Sequence, residues 1–325
     1  MLQPLSPATL LNPRPMANDQ ARHAGDLSWP NLLIEEFPRM TSVPLLQSGT
    51  LFVVATPIGN LADLSERARQ VLTAVDLIAC EDTRHTQKLL QHLGLKKPLL
   101  SVHDHNERDR IDQVAEHLNG GRTMALVSDA GTPLISDPGY PLVQALRQKG
   151  FKVIPVPGAS AVITALSAAG LPTDRFTFEG FLPHKSGAKK ERLESLVQQT
   201  ATQVFYESKH RILDTLAVMA DVFGEEREAC VARELTKTFE SFYHGTLPDI
   251  LQQLQVDSDQ QKGEFVVMVA GNKHPQSDSA VNIDKLFRLL LAELPPKKAA
   301  AIVADISGEN KKALYQRALE IQGKT

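Results

Sequence analysis

Cysteine is scarce in this chain. Its 325 residues include two, Cys80 and Cys230, each inside an apolar run and neither near a second Cys or a His at metal-ligand spacing. That argues against a disulfide framework or a cysteine-based metal site, so free thiols in a reducing compartment, the cytoplasm, are expected. Long apolar runs are also missing. None approaches the about 20 residues that span a bilayer, so no membrane partner is expected. A charged start followed by an apolar run, the mark of a secretory signal, is absent. G-x-G-x-x-G does not occur, which removes the dinucleotide fingerprint, and G-x-x-x-x-G-K-[ST] does not occur, which argues against a P-loop nucleotidase. There is no excess of positive charge either: 35 Lys and Arg stand against 38 Asp and Glu, for a net charge of −3. The average hides two basic segments. PHKSGAKKER at 183–192 holds four basic residues and one acidic, and 284–325 holds eight and five. Each reads as a solvated surface or, taken together, as contacts for a polyanion.

Residues 1–48 carry scattered prolines and no sustained hydrophobic period, and are expected to be a disordered extension. Met40, just ahead of the first strand, is a second candidate start of translation. From Leu51 the pattern changes. LFVVATPI (51–58), DLIAC (76–80), LLSVH (99–103), TMALVS (123–128) and KVIPV (152–156) read as strands. Segments 63–75, 83–93, 107–118 and 138–149 between them read as helices. This alternation predicts βαβ units and a mainly parallel sheet, an N-terminal α/β lobe over 49–157. A second α/β lobe, 158–273, is expected to have a mixed sheet. Its helices are expected at 159–169, 188–198, 209–222 and 248–255, and its strands at 175–181, 202–207, 229–234, 240–247 and 264–271. After the polar linker NKHPQSDSA (272–280), three short helices at 284–293, 297–306 and 309–321 form a helical tail over 281–325. That tail reads either as a helix-turn-helix unit or as a small cap.

Three loops carry candidate chemistry, all at carboxyl ends of first-lobe strands, where open α/β sheets bind ligands. TPIGNL (56–61) is the weakest, since a tight turn explains it equally well. SDAGTPLISDPG (128–139) is the strongest: Gly131 and Gly139 free the backbone while Pro133 and Pro138 stiffen it, with Ser136 or Asp137 expected to cap the following helix. Such a rigid loop with open N–H and C=O groups suits a flat polar ligand. EDTRHT (81–86) and HDHNE (103–107) place acid–base groups on the same edge, with helix capping as the plainer role for Asp82 or Thr83 and Asn106. His103 and His105 would point to opposite faces if extended, so no metal is expected.

TPIGNL, EDTRHT, HDHNE, SDAGTPLISDPG, PGASAVITALSAAGLP, FYES and ARELTKT, in this order, resemble the family of ribosomal RNA small subunit methyltransferases I, within the tetrapyrrole-methylase-like class. The resemblance covers about 49–322, and PGASA varies the family's PGP-like start. It implies a two-lobed tetrapyrrole-methylase-like fold, a homodimer, and S-adenosyl-L-methionine bound between the lobes. The implied reaction is methylation of a cytidine ribose 2′-hydroxyl in the decoding centre of small-subunit rRNA. By position and resemblance, cofactor contacts are expected from Pro57, Gly59, Ser128, Asp129, Ala130, Gly131, Thr132, Pro133, Leu134, Ser160, Ala161, Phe205, Tyr206, Ala232, Arg233, Glu234, Leu235 and Gly263. Substrate contacts are expected from Asn60, Arg84, His103, Lys185, Lys189, Lys190 and Arg192. Lys297, Lys298, Lys311 and Lys312 of the tail would hold rRNA phosphates or else be exposed helix faces. Asp82, His105 and Glu207 are the candidate proton acceptors, although orientation without a dedicated base would also serve. Two rival readings are a methyltransferase acting on a tetrapyrrole and a DNA-binding regulator whose α/β body senses a ligand.

Overall fold

The computed structural model describes residues 47–273 and 283–322; the expectations for residues 1–46, the start at Met40 among them, and for most of the polar linker lie outside these. The first sheet contains β1 (Thr50–Val54), β2 (Leu77–Cys80), β3 (Leu99–Ser101), β4 (Met124–Val127) and β5 (Lys152–Val156). All pairs are parallel, in the order β3-β2-β4-β1-β5. Helices α1 (Glu66–Ala74) and α2 (Thr83–His92) pack on one face through Val71, Leu72 and Leu90. Helices α3 (Glu107–Asn119) and α4 (Tyr140–Gln148) cover the other through Val114, Leu118, Leu142 and Leu146. A sheet covered on both faces needs apolar side chains on both, which is why β1 and β4 read as unbroken apolar runs. The strand order reverses around β1, with β4 on one side and β5 on the other. A crevice therefore opens at the carboxyl ends of these three strands.

β1 is expected to run to Ile58, but it ends at Val54. Thr56 leaves the sheet to pair with Gly131, and Pro57 has no N–H with which to continue the ladder.

The second sheet is mixed. Its order is β6 (Phe176–Phe181), β7 (Thr202–Ser208), β10 (Glu264–Val269), β8 (Glu228–Arg233) and β9 (Ser241–Thr246); only β6 and β7 are parallel. Helices α6 (Ser186–Glu194), α7 (Ile212–Phe223) and α8 (Leu247–Val256) bury one face around Phe205, Leu216, Met219 and Ile250. The other face carries α5 (Ala161–Ala168), packed through Val162 and Ala165 on Val204, Ala232 and Val266. Ile58, from the loop after β1, packs on the same cluster. The second face of this sheet is thus one wall of the crevice left by the first.

Three tail helices, α9 (Ile283–Glu293), α10 (Pro296–Ser307) and α11 (Lys311–Ile321), enclose a small core of their own around Phe287, Ala299, Val303, Leu314 and Ala318. Pro296 opens α10, and Gly308, at φ 71°, closes it. α11 starts two residues later than its periodicity suggests, because the Asn310 side chain caps it by accepting the Lys312 N–H at 2.9 Å.

Alternation along β7 sends Phe205 and Tyr206 to opposite faces. Phe205 is fully buried in the core on the helix side and is not a cofactor contact through its side chain. Phe205→Ala is expected to destabilise the fold by about 3–5 kcal/mol, read from the midpoint of urea unfolding.

Candidate active site

The floor of the crevice is a backbone junction. Thr56 N–H donates to Gly131 O at 2.8 Å, and Gly131 N–H donates back to Thr56 O at 3.0 Å. The Thr132 hydroxyl donates to Ala159 O at 3.1 Å, which ties in the loop after β5. Gly131 sits at φ 83°, and a Cβ there would lie 3.3 Å from Ile58 Cγ2. Leu134 and Ser136 also adopt left-handed backbone, at φ 74° and 62°. Each costs about 1–2 kcal/mol in a non-glycine residue, and strain of this kind gathers at functional sites. The loop's far end is held from outside it. The N-cap of α4 is Gly139, which has no side chain, so neither Ser136 nor Asp137 caps the helix as expected. Instead the Gly139 N–H donates to Glu107 Oε2 at 2.8 Å, a cap supplied by the first turn of α3.

Above this floor lies a cleft of about 300 Å³, lined by Gly131, Thr132, Ser160 and Ala161 of the first-sheet loops and α5, and by Tyr206, Leu235 and Val266 of the second sheet's side. An adjoining cleft of about 360 Å³ takes in Pro57, Gly59, His85, Ser128 and Asp129. Ile58, Ala130 and Glu264 border both. A strap marks their boundary: Lys237 Nζ donates to Glu234 Oε1 and Glu264 Oε2, both at 2.8 Å, while its stem lies over Gly59. Burial alone would lower the Lys237 pKa, but the two carboxylates reverse this and raise it. Gly263, at φ 104°, makes room for the Glu234 side chain; a Cβ there would fall 2.5 Å from it. Gly263 and Glu234 therefore brace each other and line neither cleft. Arg233 is a scaffold residue too, buried and donating to the carbonyls of Lys262, Phe239 and Asp259. Pro133 and Ala232 are buried, and Leu134 packs toward the α3–α4 core, so their side chains lie outside both clefts.

The candidate proton acceptors do not gather. Asp82 caps α2 through the Arg84 N–H and is held by the Arg84 guanidinium at 2.7 Å. These bonds depress its pKa to about 2, a poor setting for a base. The Glu207 carboxylate is buried and turned toward α7, where it accepts from the Thr215 hydroxyl at 2.7 Å and the Ser208 N–H at 2.8 Å, with Arg211 at 3.4 Å. His103 and His105 do not face opposite ways. Residues 104–106 form a turn, because Asn106 folds back to accept the His103 N–H, and the two rings lie 6.0 Å apart. His105 is exposed and lines neither cleft. Asn60 caps the short turn Leu61–Asp63, accepting the Ala62 N–H.

Two carboxylates that the sequence did not mark as proton acceptors are Glu81 and Asp137. Burial raises both, and Asp129 and Asp104 raise them further. Asp137 borders the interlobe cleft of about 300 Å³. Its only sequence signal is its place in a proline-flanked turn, which reads equally as a helix cap. Tyr206 packs edge-on against Phe178 and Phe181, at 4.9 and 5.5 Å, and burial lifts its hydroxyl to about 12.

The basic segment 183–192 is largely neutralised within its own lobe. Lys189 is buried and bound to Asp214 at 2.5 Å and to Thr215, so it does not face substrate. Lys190 pairs with Asp221 and Arg192 with Glu179. Lys185 is exposed and has no ion pair among the described residues, as is true of Lys297, Lys298, Lys311 and Lys312 of the tail.

A parallel sheet whose crevice is closed by a second, mixed sheet defines a class of two-lobed methylases. The family model Tetrapyrrole (Corrin/Porphyrin) Methylases matches residues 50–251, and the chain belongs to this family. A second model, the RsmI C-terminal HTH domain, matches 277–322. The fold is similar to crystal structures of the methyltransferase CobJ (TM-score 0.52, 20% identity, 69% of this chain and 95% of that one) and of diphthine synthase (0.52, 14%, 68% and 90%). Among sequences, the chain is similar to proteins named Ribosomal RNA small subunit methyltransferase I. The one from Pseudomonas aeruginosa is 52% identical over 86% of this chain and 100% of its own length. The one from Escherichia coli O157:H7 is 51% identical over 85% and 96%, and the one from Mesorhizobium japonicum 46% over 84% and 92%.

Because its folded pKa is depressed, Asp82 contributes stability above its ordinary value of 3.8, and that contribution is lost as pH falls toward 2. The melting temperature of Asp82→Asn is expected to lie below that of the parent protein at neutral pH. The two should converge over that acid window in a pH series of thermal melts.

Proposed function

We propose that this protein transfers a methyl group from S-adenosyl-L-methionine to the 2′-hydroxyl of a cytidine in small-subunit rRNA, in the cytoplasm and as a homodimer. The observation that carries the reading is the strained, backbone-lined loop Ser128–Gly139 at the floor of an interlobe cleft, in a chain similar along nearly all of its folded length to rRNA small-subunit methyltransferases.

The cleft fits such a cofactor. Gly131 keeps the floor open beside Ile58, where a side chain would crowd it. Ala130, Gly131 and Thr132 border the cleft with small side chains and Ser160 adds a hydroxyl, so backbone groups can hold a polar ligand there, while Ile58, Leu235 and Val266 supply apolar walls. Neutral contacts of this kind suit a sulfonium donor, because close pairing of its positive charge with a carboxylate would favour the ground state over the transition state. When bound, the cofactor supplies an electrophilic methyl group, and the ribose oxygen must be held about 3 Å from it, in line with the leaving sulfur. Holding that oxygen is the task of the protein. The edge that carries Arg84, His103 and His105 is the natural side for RNA, with Lys185 and the four exposed tail lysines available for phosphates.

The decisive assay supplies methyl-labelled S-adenosylmethionine and small ribosomal subunits from cells lacking the gene. The expected product after digestion to nucleosides is labelled 2′-O-methylcytidine. Label on a base would overturn the ribose assignment, and label absent from rRNA but present on a porphyrinogen would favour the tetrapyrrole alternative. Gly131→Val is expected to weaken S-adenosylmethionine binding at least about tenfold by calorimetry, since it combines a β-branched residue in left-handed backbone with a filled floor.

A further inference from the structure

We infer that Asp137 is the proton acceptor of the reaction, the carboxylate that takes the proton from the attacking hydroxyl; the inference rests on the function proposed above. Four carboxylates border the two clefts, and three are committed elsewhere. Glu207 is saturated by Thr215, Ser208 N–H and Arg211. Glu264 is tied to Lys237 at 2.8 Å. Asp129 accepts the Asp82 N–H at 3.1 Å and borders the adjoining cleft only. Asp137 lines the interlobe cleft and has no ion pair among the described residues.

Its backbone is held on both sides. Ser136, at φ 62°, turns the chain immediately before it. Two residues after it, the Gly139 N–H is anchored to Glu107. A base held this way loses little freedom when substrate arrives. The titratable groups facing it are Asp129 from its own loop, Asp104 and Glu81 from the loops after β3 and β2, and Tyr206 from β7. None is a cation. Ser128 alone offers a hydrogen bond to its charged form, and burial outweighs it, so the carboxyl is more basic than an exposed aspartate. A more basic carboxylate is a better acceptor for a hydroxyl proton.

In the step, the O–H bond breaks toward an Asp137 carboxylate oxygen as the ribose oxygen bonds to the methyl carbon. The electron pair of the broken carbon–sulfur bond stays on sulfur, which becomes neutral. Asp137 then releases the proton to water.

Asp137→Asn keeps the shape and removes the basicity. With small subunits as substrate, kcat is expected to fall about 100-fold or more, the size of a general-base contribution. The acid limb of the parent protein's kcat–pH profile should vanish, while calorimetric S-adenosylmethionine affinity stays within about threefold. A second readout needs no turnover. With its folded pKa raised, Asp137 favours the fold below 3.8 and loses this contribution as pH rises through the folded value. Asp137→Asn should therefore melt higher than the parent at neutral pH, and the gap should narrow on acidification.

An unchanged kcat with the acid limb intact would overturn the assignment and move the role to His85, on the adjoining cleft. Loss of cofactor affinity would overturn it by making Asp137 a cofactor ligand. If the parent itself leaves rRNA unlabelled while the melting difference is seen, the functional reading fails and the basic carboxyl stands; if rRNA is labelled equally by parent and variant, only the role of Asp137 fails.

Discussion

The site depends on one backbone pairing, the reciprocal hydrogen bonds between Thr56 and Gly131. Neighbouring parallel strands normally hand their chains straight to helices. Here the chain leaving β1 and the chain leaving β4 first bind each other, and that single bridge fixes where both loops go. Ile58 is carried across to pack on the second sheet, and Gly131 is left in the floor with its backbone open. The strain at Leu134 and Ser136 is tolerable because the loop is pinned at both ends, by this bridge and by Glu107.

The two lobes divide the work by the kind of side chain they contribute. The first supplies loops whose polar groups are mostly main chain. The second supplies an apolar wall and a closing ion pair, Lys237 with Glu264, beside Gly59. On the helix side of the second sheet, Lys189 and Glu207 are both bound to the Thr215 hydroxyl. Such networks cost desolvation, and each member is costly to remove alone.

Much of the architecture was legible in the sequence, because apolar runs and helical spacing report burial directly. The parallel first sheet, the mixed second sheet and the three tail helices all follow from those patterns. The loop 128–139 was legible too, through its glycines and prolines. What periodicity could not convey was partnership between distant residues. Lys189 looks like a free cation until Asp214 and Thr215 are folded against it. Asp82 looks like a base until Arg84 claims it. Phe205 and Tyr206 are adjacent letters on opposite faces of a strand, and only the alternation of β7 tells them apart. The cap on Gly139 comes from Glu107, a residue whose sequence neighbours give no hint of the contact.

The strand order has a consequence for how the chain is made. β1 is synthesised first among the strands, yet its partners β4 and β5 come from residues far downstream. During synthesis, the apolar run at 50–54 must wait for those strands without a finished sheet to shelter it. The floor of the cleft closes only when Gly131 reaches Thr56. Pairing across such separations is slow, and exposed strands awaiting it are open to wrong partners. A stalled or truncated chain ending before β4 would carry every residue of the TPIGN turn and still present no pocket, so ligand-binding capacity should emerge abruptly during elongation.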